Sequence, residues 1–422
     1  MSRRRLRFIH SSDWHLERPL GGLAQVRPRL DLRGKLGNLF ADATYLAAEK
    51  VVSAALAEQA DFVVLAGDIL DVELAGPRGA AFLIRQFERL AHRQIPVYWA
   101  AGRVDRPQQW PAALRLPDNV FRFSGRRPEA FDVDVDGRVA ARVIGANRPR
   151  GGKIRATDFW ADPDGLPTIA VTQGRADRQA LPSRGLTYWA LGGRHSRAAI
   201  LEGLQAAQYS GSPQARRPDE TSTHGCTLVE LDEEGRLHTR SLATEVVRFC
   251  RRRVTVGEST TLDDLENRLA DQAHELRSSV PDVNLLVSWS VGGSGPLVAA
   301  MRRGDLASQI LARLDRRLEQ ETPIVCGLSI ELEPEAAVPP VWSEQDSLLG
   351  DFLRSLAQFD GTHDPTDLVG PVEQMVGEGR KARRLARVTD ADRRRVLQMA
   401  AAIGADLLAA SDAARPHKEG QP

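Results

Sequence analysis

Asp13 and His15 stand two residues apart, directly after the apolar run Leu6–His10. If that run is a strand, the Asp-x-His spacing points both side chains to one side. One hard oxygen and one imidazole then face the same point, a donor pair that suits manganese, iron or zinc. Alone the pair is a weak signal, because a capped strand end with a hydrogen-bonded histidine reads the same. Three further groups follow apolar runs in the same way: Gly67-Asp68-Ile69-Leu70-Asp71, Gly102-Arg103-Val104-Asp105 and Gly192-Gly193-Arg194-His195. In α/β sheets, ligands bind outside the carboxyl ends of the strands.

The elements that must position these residues alternate in the first hundred residues. Leu6–His10, Phe62–Ala66 and Pro96–Ala101 read as strands, and Asp42–Gln59 and Arg78–Arg93 as helices. This order predicts an α/β domain. Strand-like segments then dominate: Val120–Phe123, Phe131–Val135, Val139–Gly145, Thr168–Thr172, Thr187–Gly192 and Gly225–Leu231. Asp136-Gly137 and Glu234-Gly235 suit hairpin turns. A second sheet packed on the first accounts for the pattern, with the domain spanning residues 1–245. Residues 246–340 read as a small α/β module, with helices near Leu262–Ser278 and Leu306–Gln320 and strands near Val283–Ser290 and Ile324–Glu333. Residues 341–410 read as helical, most regularly over Val388–Ala410, and 411–422 as a disordered tail.

The chain has 422 residues, 42% of them hydrophobic and 27% charged, which excludes wholesale disorder. No apolar stretch approaches a membrane span. The basic start Met1–Arg5 lacks a signal-peptide core, so a cytoplasmic location is expected. Cys226, Cys250 and Cys326 have neither disulfide nor zinc spacing. The net charge of +1 announces no nucleic-acid partner. Cations are 52 arginines against five lysines. Codon bias explains that choice, and phosphate recognition by forked guanidinium groups is the functional alternative.

Four segments together resemble the calcineurin-like metallophosphoesterase family: FIHSSDWHLERPL at 8–20, DFVVLAGDILD at 61–71, IPVYWAAGRVD at 95–105 and YWALGGRHSR at 188–197. Within it they are similar to the SbcD-type DNA-repair exonucleases, in the YhaO-like branch. The segment YSGSPQARRPDETSTHGCTLVEL at 209–231 adds the strand-rich close of that branch's nuclease domain. The resemblance implies a double β-sandwich flanked by helices, and two adjacent metals that bind the phosphate and activate water. Asp13, His15, Asp68 and His195 would hold the first metal, with Asp68 bridging to the second.

The second set of ligands departs from the family. The Gly-Asn-His-Asp motif is Gly102-Arg103-Val104-Asp105, so Arg103 replaces the asparagine ligand and Val104 the proton-transferring histidine. Gln173 stands at the later isolated histidine, and Gly193 at the first histidine of Gly-His-x-His. One divalent metal, manganese by resemblance, is therefore expected, with the second site erased. Arg103, with Arg194, is the candidate to neutralise Asp68, and Arg103 also to bind phosphate. His224 lies near the site by family position without an expected ligand role.

Two functions follow from this pattern. The first is a weak or inactive nuclease serving as a subunit with a coiled-coil SMC-type ATPase, which the helical region after Ser343 would dock. The alternative is an active single-metal phosphodiesterase or exonuclease on DNA, with Arg103 gripping phosphate. A metal-free DNA-binding module is a third reading. The loop with Arg148, Arg150, Lys153 and Arg155 is a candidate nucleic-acid contact, whereas Arg380–Arg387 reads as a solvated charged face. Relatives of this type also form homodimers.

Overall fold

The computed structural model describes residues 5–21, 34–111, 113–293, 295–303, 305–318, 322–333, 340–358, 396–405 and 408. Arg380–Arg387, the expected tail at 411–422 and most of the expected helix Val388–Ala410 lie outside them, although 396–405 are helical.

The strands in chain order are β1 (Leu6–Ser11), β2 (Phe62–Leu65), β3 (Val97–Trp99), β4 (Val120–Arg122), β5 (Glu129–Val135), β6 (Arg138–Ala146), β7 (Thr168–Gln173), β8 (Tyr188–Gly192), β9 (Ala198–Leu201), β10 (Ala206–Tyr209), β11 (Gly225–Leu231), β12 (Leu237–Ala243), β13 (Val247–Val256), β14 (Asn284–Gly293) and β15 (Val325–Leu332). The first six-stranded sheet has the order β12-β11-β1-β2-β3-β4, and the second β5-β6-β7-β8-β10-β9. The strands β1 to β4 are mutually parallel, as are β6, β7, β8 and β10. Antiparallel strands flank both parallel runs.

Alternation along the strands creates the layers. Phe8, Phe62, Val64 and Tyr98 of the first sheet share a buried cluster with Val143, Ile169, Val171, Tyr188 and Ala190 of the second. Phe8 stacks on Phe62 at 4.7 Å between centroids and meets Tyr188 edge-on at 5.5 Å. Their neighbours Ile9, Val63, Leu65, Val97 and Trp99 face the opposite way. There they pack with Tyr45, Ala48, Val51 and Val52 of helix α1 (Gly34–Ala57) and with Phe82, Leu83, Phe87 and Leu90 of helix α2 (Val72–Ala91). Ile144, Ala170, Trp189, Leu191 and Tyr209 line the outer face of the second sheet under Ile154, Phe159, Leu181 and Leu186. Burial of each large side chain contributes about 1.5–3 kcal/mol. The architecture is a mixed α/β double sandwich, as the alternation of apolar runs predicts.

Helix α2 begins earlier than its expected start at Arg78. Asp71 caps it by accepting a hydrogen bond from the Leu74 amide at 3.2 Å. Its kink falls at Gly76 (φ 60°), directly before Pro77, whose ring and missing amide proton break a regular helix. Both expected hairpin turns form: Asp136 (φ 52°) and Gly137 (φ 75°) join β5 to β6, and Gly235 (φ 81°) lies between β11 and β12.

The rest of the chain comprises α3 (Leu262–Ser279), α4 (Pro296–Arg303), α5 (Leu306–Leu318), α6 (Pro340–Ser343) and α7 (Leu348–Gln358), with β13, β14 and β15 as a third sheet. One compact unit takes Met1–Cys250, Glu275–Val287 and Glu319–Leu328; the other takes Arg251–His274, Ser288–Leu318 and Ser329 onward. Residues 246–340 are thus divided between two units. The cause is packing: Phe249, Leu286, Cys326 and Leu328 are buried with Leu20, Phe40 and Ala215 of the sandwich unit. No described helix is long and apolar enough to cross a membrane.

Candidate metal centre

The singled-out residues lie just past the carboxyl ends of parallel strands from both sheets. Asp13 and His15 follow β1, Asp68 follows β2, Arg103 and Val104 follow β3, Gln173 ends β7, and Gly193 and His195 follow β8. Asp13 (φ 54°), His15 (φ 45°) and Asp68 (φ 55°) all adopt left-handed backbone. That conformation is uncommon outside glycine and clusters at functional sites. It is held by backbone hydrogen bonds between the two loops: Asp13 N donates to Gly67 O at 2.9 Å and His15 N to Asp68 O at 3.0 Å. Gly67 (φ 82°) is required there, because a Cβ would lie 2.6 Å from the Gly102 nitrogen.

Asp105 locks these loops together. The buried carboxylate accepts from the amides of Asp68 (3.1 Å), Ile69 (3.1 Å) and Gly102 (2.6 Å) and from the Trp99 indole (2.8 Å). Burial, reinforced by the charge of Asp68, pushes its carboxyl up to about 6. Within its motif the sequence gives Asp105 no role, since nothing in a sequence marks four converging donors.

Asp13, His15 and His195 place one ligand atom each within 4.8 Å of one another. The orientation of both rings is set from behind. His15 Nδ1 lies 3.1 Å from Glu17 Oε1, and His195 Nδ1 lies 2.8 Å from Glu220 Oε1. Burial works against the charge on Glu220, but its bonds with His195 and the Arg216 amide outweigh it and hold the carboxyl at about 2. Glu17 is likewise lowered, with the His15 and Asp71 hydrogen bonds outweighing burial. An ionised carboxylate only accepts, so each Nδ1 carries the proton and each Nε2 presents its lone pair. A carboxylate behind a histidine is the arrangement that steadies metal-binding imidazoles.

Asp13 Oδ2 accepts from Ser12 Oγ (2.7 Å) and Gly193 N (2.8 Å), while Oδ1 takes no hydrogen bond among the described residues. Burial, partly offset by the Ser12 hydroxyl and reinforced by Asp68, raises the Asp13 carboxyl to about 6. Asp68 Oδ2 lies 3.9 Å from His15 Nε2. These oxygens and imidazoles fit a divalent cation. Glu17 and Glu220 are functional positions that the sequence reading missed. The two-residue spacing from His15 to Glu17 was the available signal; Glu220 comes from a distant loop and offered none.

The neighbouring positions are built differently. Asp68 Oδ1 accepts from the amides of Arg103 (2.5 Å) and Val104 (3.0 Å). Gln173 is fully buried; its Oε1 accepts from Arg148 at 3.1 Å, and its Nε2 has no partner among the described residues. Gly193 (φ 99°) lies against Gln173, since a Cβ there would be 3.3 Å from Gln173 Cγ. The side chain of Arg103 is exposed. The guanidinium carbon of Arg194 lies 5.5 Å from the centroid of the Tyr209 ring.

Other expectations divide in the same way. Arg150, Lys153 and Arg155 are exposed, with Arg155 3.9 Å from Asp158, whereas Arg148 turns onto Gln173. His224 Nδ1 bonds Ser212 Oγ at 3.0 Å, and burial lowers its pKa. Buried His10, pushed down to about 3 by burial, bonds the Tyr188 hydroxyl at 2.9 Å. Trp14, Trp99 and Trp189 are buried in the core.

No family model matches the chain. It is 27% identical over 344 residues to a Bacillus subtilis protein described as the uncharacterized metallophosphoesterase YhaO, covering 78% of this chain and 82% of the relative. Among solved structures, a dimetal phosphatase from Danio rerio aligns with a TM-score of 0.35 at 11% identity, covering 56% of this chain and 98% of that one. At 27% identity the sequence similarity extends over most of both chains, and Asp13, His15 and His195 are the residues of this chain placed to hold a metal ion together.

Proposed function

We propose that the chain is a metallophosphoesterase-type protein with one divalent-metal centre, held by Asp13, His15, Asp68 and His195, and an erased second site. In this reading it is a weak or silent member of the DNA-repair exonuclease lineage, working as a subunit. The observation that carries it is the division of Asp68. Oδ2 faces His15, while Oδ1, the oxygen left for a second cation, is engaged by the Arg103 and Val104 amides.

A bound divalent cation supplies Lewis-acid polarisation of a phosphoryl oxygen. The protein's own groups supply less. Val104 cannot hold or release a proton, and Gln173 is neutral and turned to Arg148. The exposed Arg103 can fork two N–H groups onto phosphate oxygens, which orients a phosphodiester without activating water. Manganese is the expected ion, from the mixed aspartate and histidine donors and the family resemblance. A partner of the SMC ATPase type also rests on that resemblance. On the helical segment 396–405, Val396, Met399 and Ile403 are exposed at helical spacing, which suits docking of another chain.

The test is manganese-dependent hydrolysis of duplex DNA and of bis(p-nitrophenyl) phosphate, with Asp68→Ala in parallel. Wild-type rates within a fewfold of that variant are expected. A strong activity lost in Asp68→Ala would establish the second reading, favoured by the intact triad: an active single-metal phosphodiesterase using Arg103 for phosphate.

A further inference from the structure

The loop between β10 and β11 brings a third kind of group to the centre. Arg216 Nη2 lies 3.1 Å from His195 Nε2 and 3.5 Å from its Nδ1. Because Glu220 fixes the proton on Nδ1, the nitrogen that accepts from Arg216 is the one whose lone pair a cation needs. The arginine is built in. Only 8% of it is exposed, and its own amide donates to Glu220 Oε2 at 2.7 Å. Its carbonyl accepts from the Gly21 amide at 2.7 Å. The guanidinium Nε is buried with no partner among the described residues, so the group is committed to His195 without being fully satisfied. Burial lowers its pKa, while Glu220, Glu17 and Asp13 act to keep it charged.

We propose that Arg216 and a divalent cation compete for His195. This rests on the reading of Asp13, His15 and His195 as a metal centre. One lone pair cannot serve both a guanidinium N–H and a metal ion. A guanidinium left beside a dication is also repelled, so the ion binds only when Arg216 swings away. Arg216 is thereby a positioning residue that sets the threshold for metal occupancy, and its displacement turns a forked cationic donor loose at the rim of the site.

Titration calorimetry with manganese chloride on the chelator-stripped full chain tests this. Arg216→Met and Arg216→Gln should bind manganese about three- to tenfold more tightly than wild type, the worth of one exchanged hydrogen bond. Asp13→Asn should not bind. Equal or weaker binding in both Arg216 variants, with wild-type circular dichroism and an Asp13-dependent wild type, overturns the competition alone. Absence of Asp13-dependent binding in every protein overturns the metal-centre reading with it. Should the variants fail to fold, 15N spectra of wild-type arginine side chains decide. Arg216 signals that shift on addition of zinc support displacement, and unchanged signals in zinc-loaded protein refute it.

Discussion

Two adjacent regions at the same strand ends use opposite kinds of chemistry. Around Asp13, His15 and His195, every side chain is held so that a lone pair points inward, with Glu17 and Glu220 fixing the rings and Ser12 and Gly193 fixing the carboxylate. A few ångströms away, the donors and acceptors face one another. Asp68 Oδ1 is taken by two amides, and Gln173 Oε1 is taken by Arg148. Metal competence therefore depends less on how many polar residues surround a point than on whether their lone pairs are already spent. Arg216 blurs the contrast, because it spends one lone pair in the competent region as well.

The sharpest way to break this comparison is to disturb one supporting residue in each region. Glu17→Gln removes the carboxylate behind His15 and should weaken manganese binding about 10–100-fold. Gln173→Ala, in the other region, should change it by less than about twofold. Calorimetric titration of both variants reads the difference. Equal losses would mean that Gln173 supports the first centre and that the two regions are one site.

The sequence carries the fold further than it carries this contrast. Apolar runs mark β1, β2, β6 and β8 plainly, because most of each strand is buried on both faces. The strands β9, β10, β12 and β13 are not distinguished in the sequence, β10 because its buried run is only the four residues Ala206–Tyr209. β9 and β12 are half-exposed edge strands, and β13 opens a sheet whose burial depends on partners such as Leu286 and Leu328, distant in sequence. At the site, Asp13, His15, Asp68 and His195 were legible as residue types at strand ends. Glu220, Arg216 and Asp105 were not, since their roles arise only where separate loops converge. Arg148 reads in the sequence as a candidate nucleic-acid contact and is a partner of Gln173, a contact across 25 residues that no local pattern encodes.

The acidity of Asp13 sharpens the comparison by pH. Its carboxyl, raised to about 6, must lose its proton before it can bind a cation. Manganese affinity should therefore fall as pH drops below about 6, by up to about tenfold per unit, and be flat in this respect above about 7. Stability without metal runs the opposite way. A carboxyl raised from 3.8 contributes most stability below about pH 4 and loses it as pH rises through about 6, and Asp105 acts in the same direction. Titrations at several pH values with chelated protein as reference check both slopes. An affinity unchanged between pH 7 and pH 5 would place the binding carboxylate elsewhere.

Rebuilding the second region yields the smallest expected effect. Arg103→Asn, Val104→His, Gln173→His and Gly193→His together restore the ligand types the family pattern places there, and a weak second equivalent of manganese should appear by elemental analysis. The backbone resists one of the four changes. Gly193 sits at φ 99°, where a side chain is strained by about 1–3 kcal/mol, and its Cβ would press on position 173. The quadruple variant should therefore unfold a few degrees below the triple variant that keeps Gly193. Arg148 must also leave residue 173 before a histidine there can coordinate. A quadruple variant with no added metal, while the triple is equally empty, would mean that these positions are not the lost ligands. A gain confined to the triple would instead show that a side chain at position 193, strained at φ 99° and pressed on position 173, closes the rebuilt region to a cation.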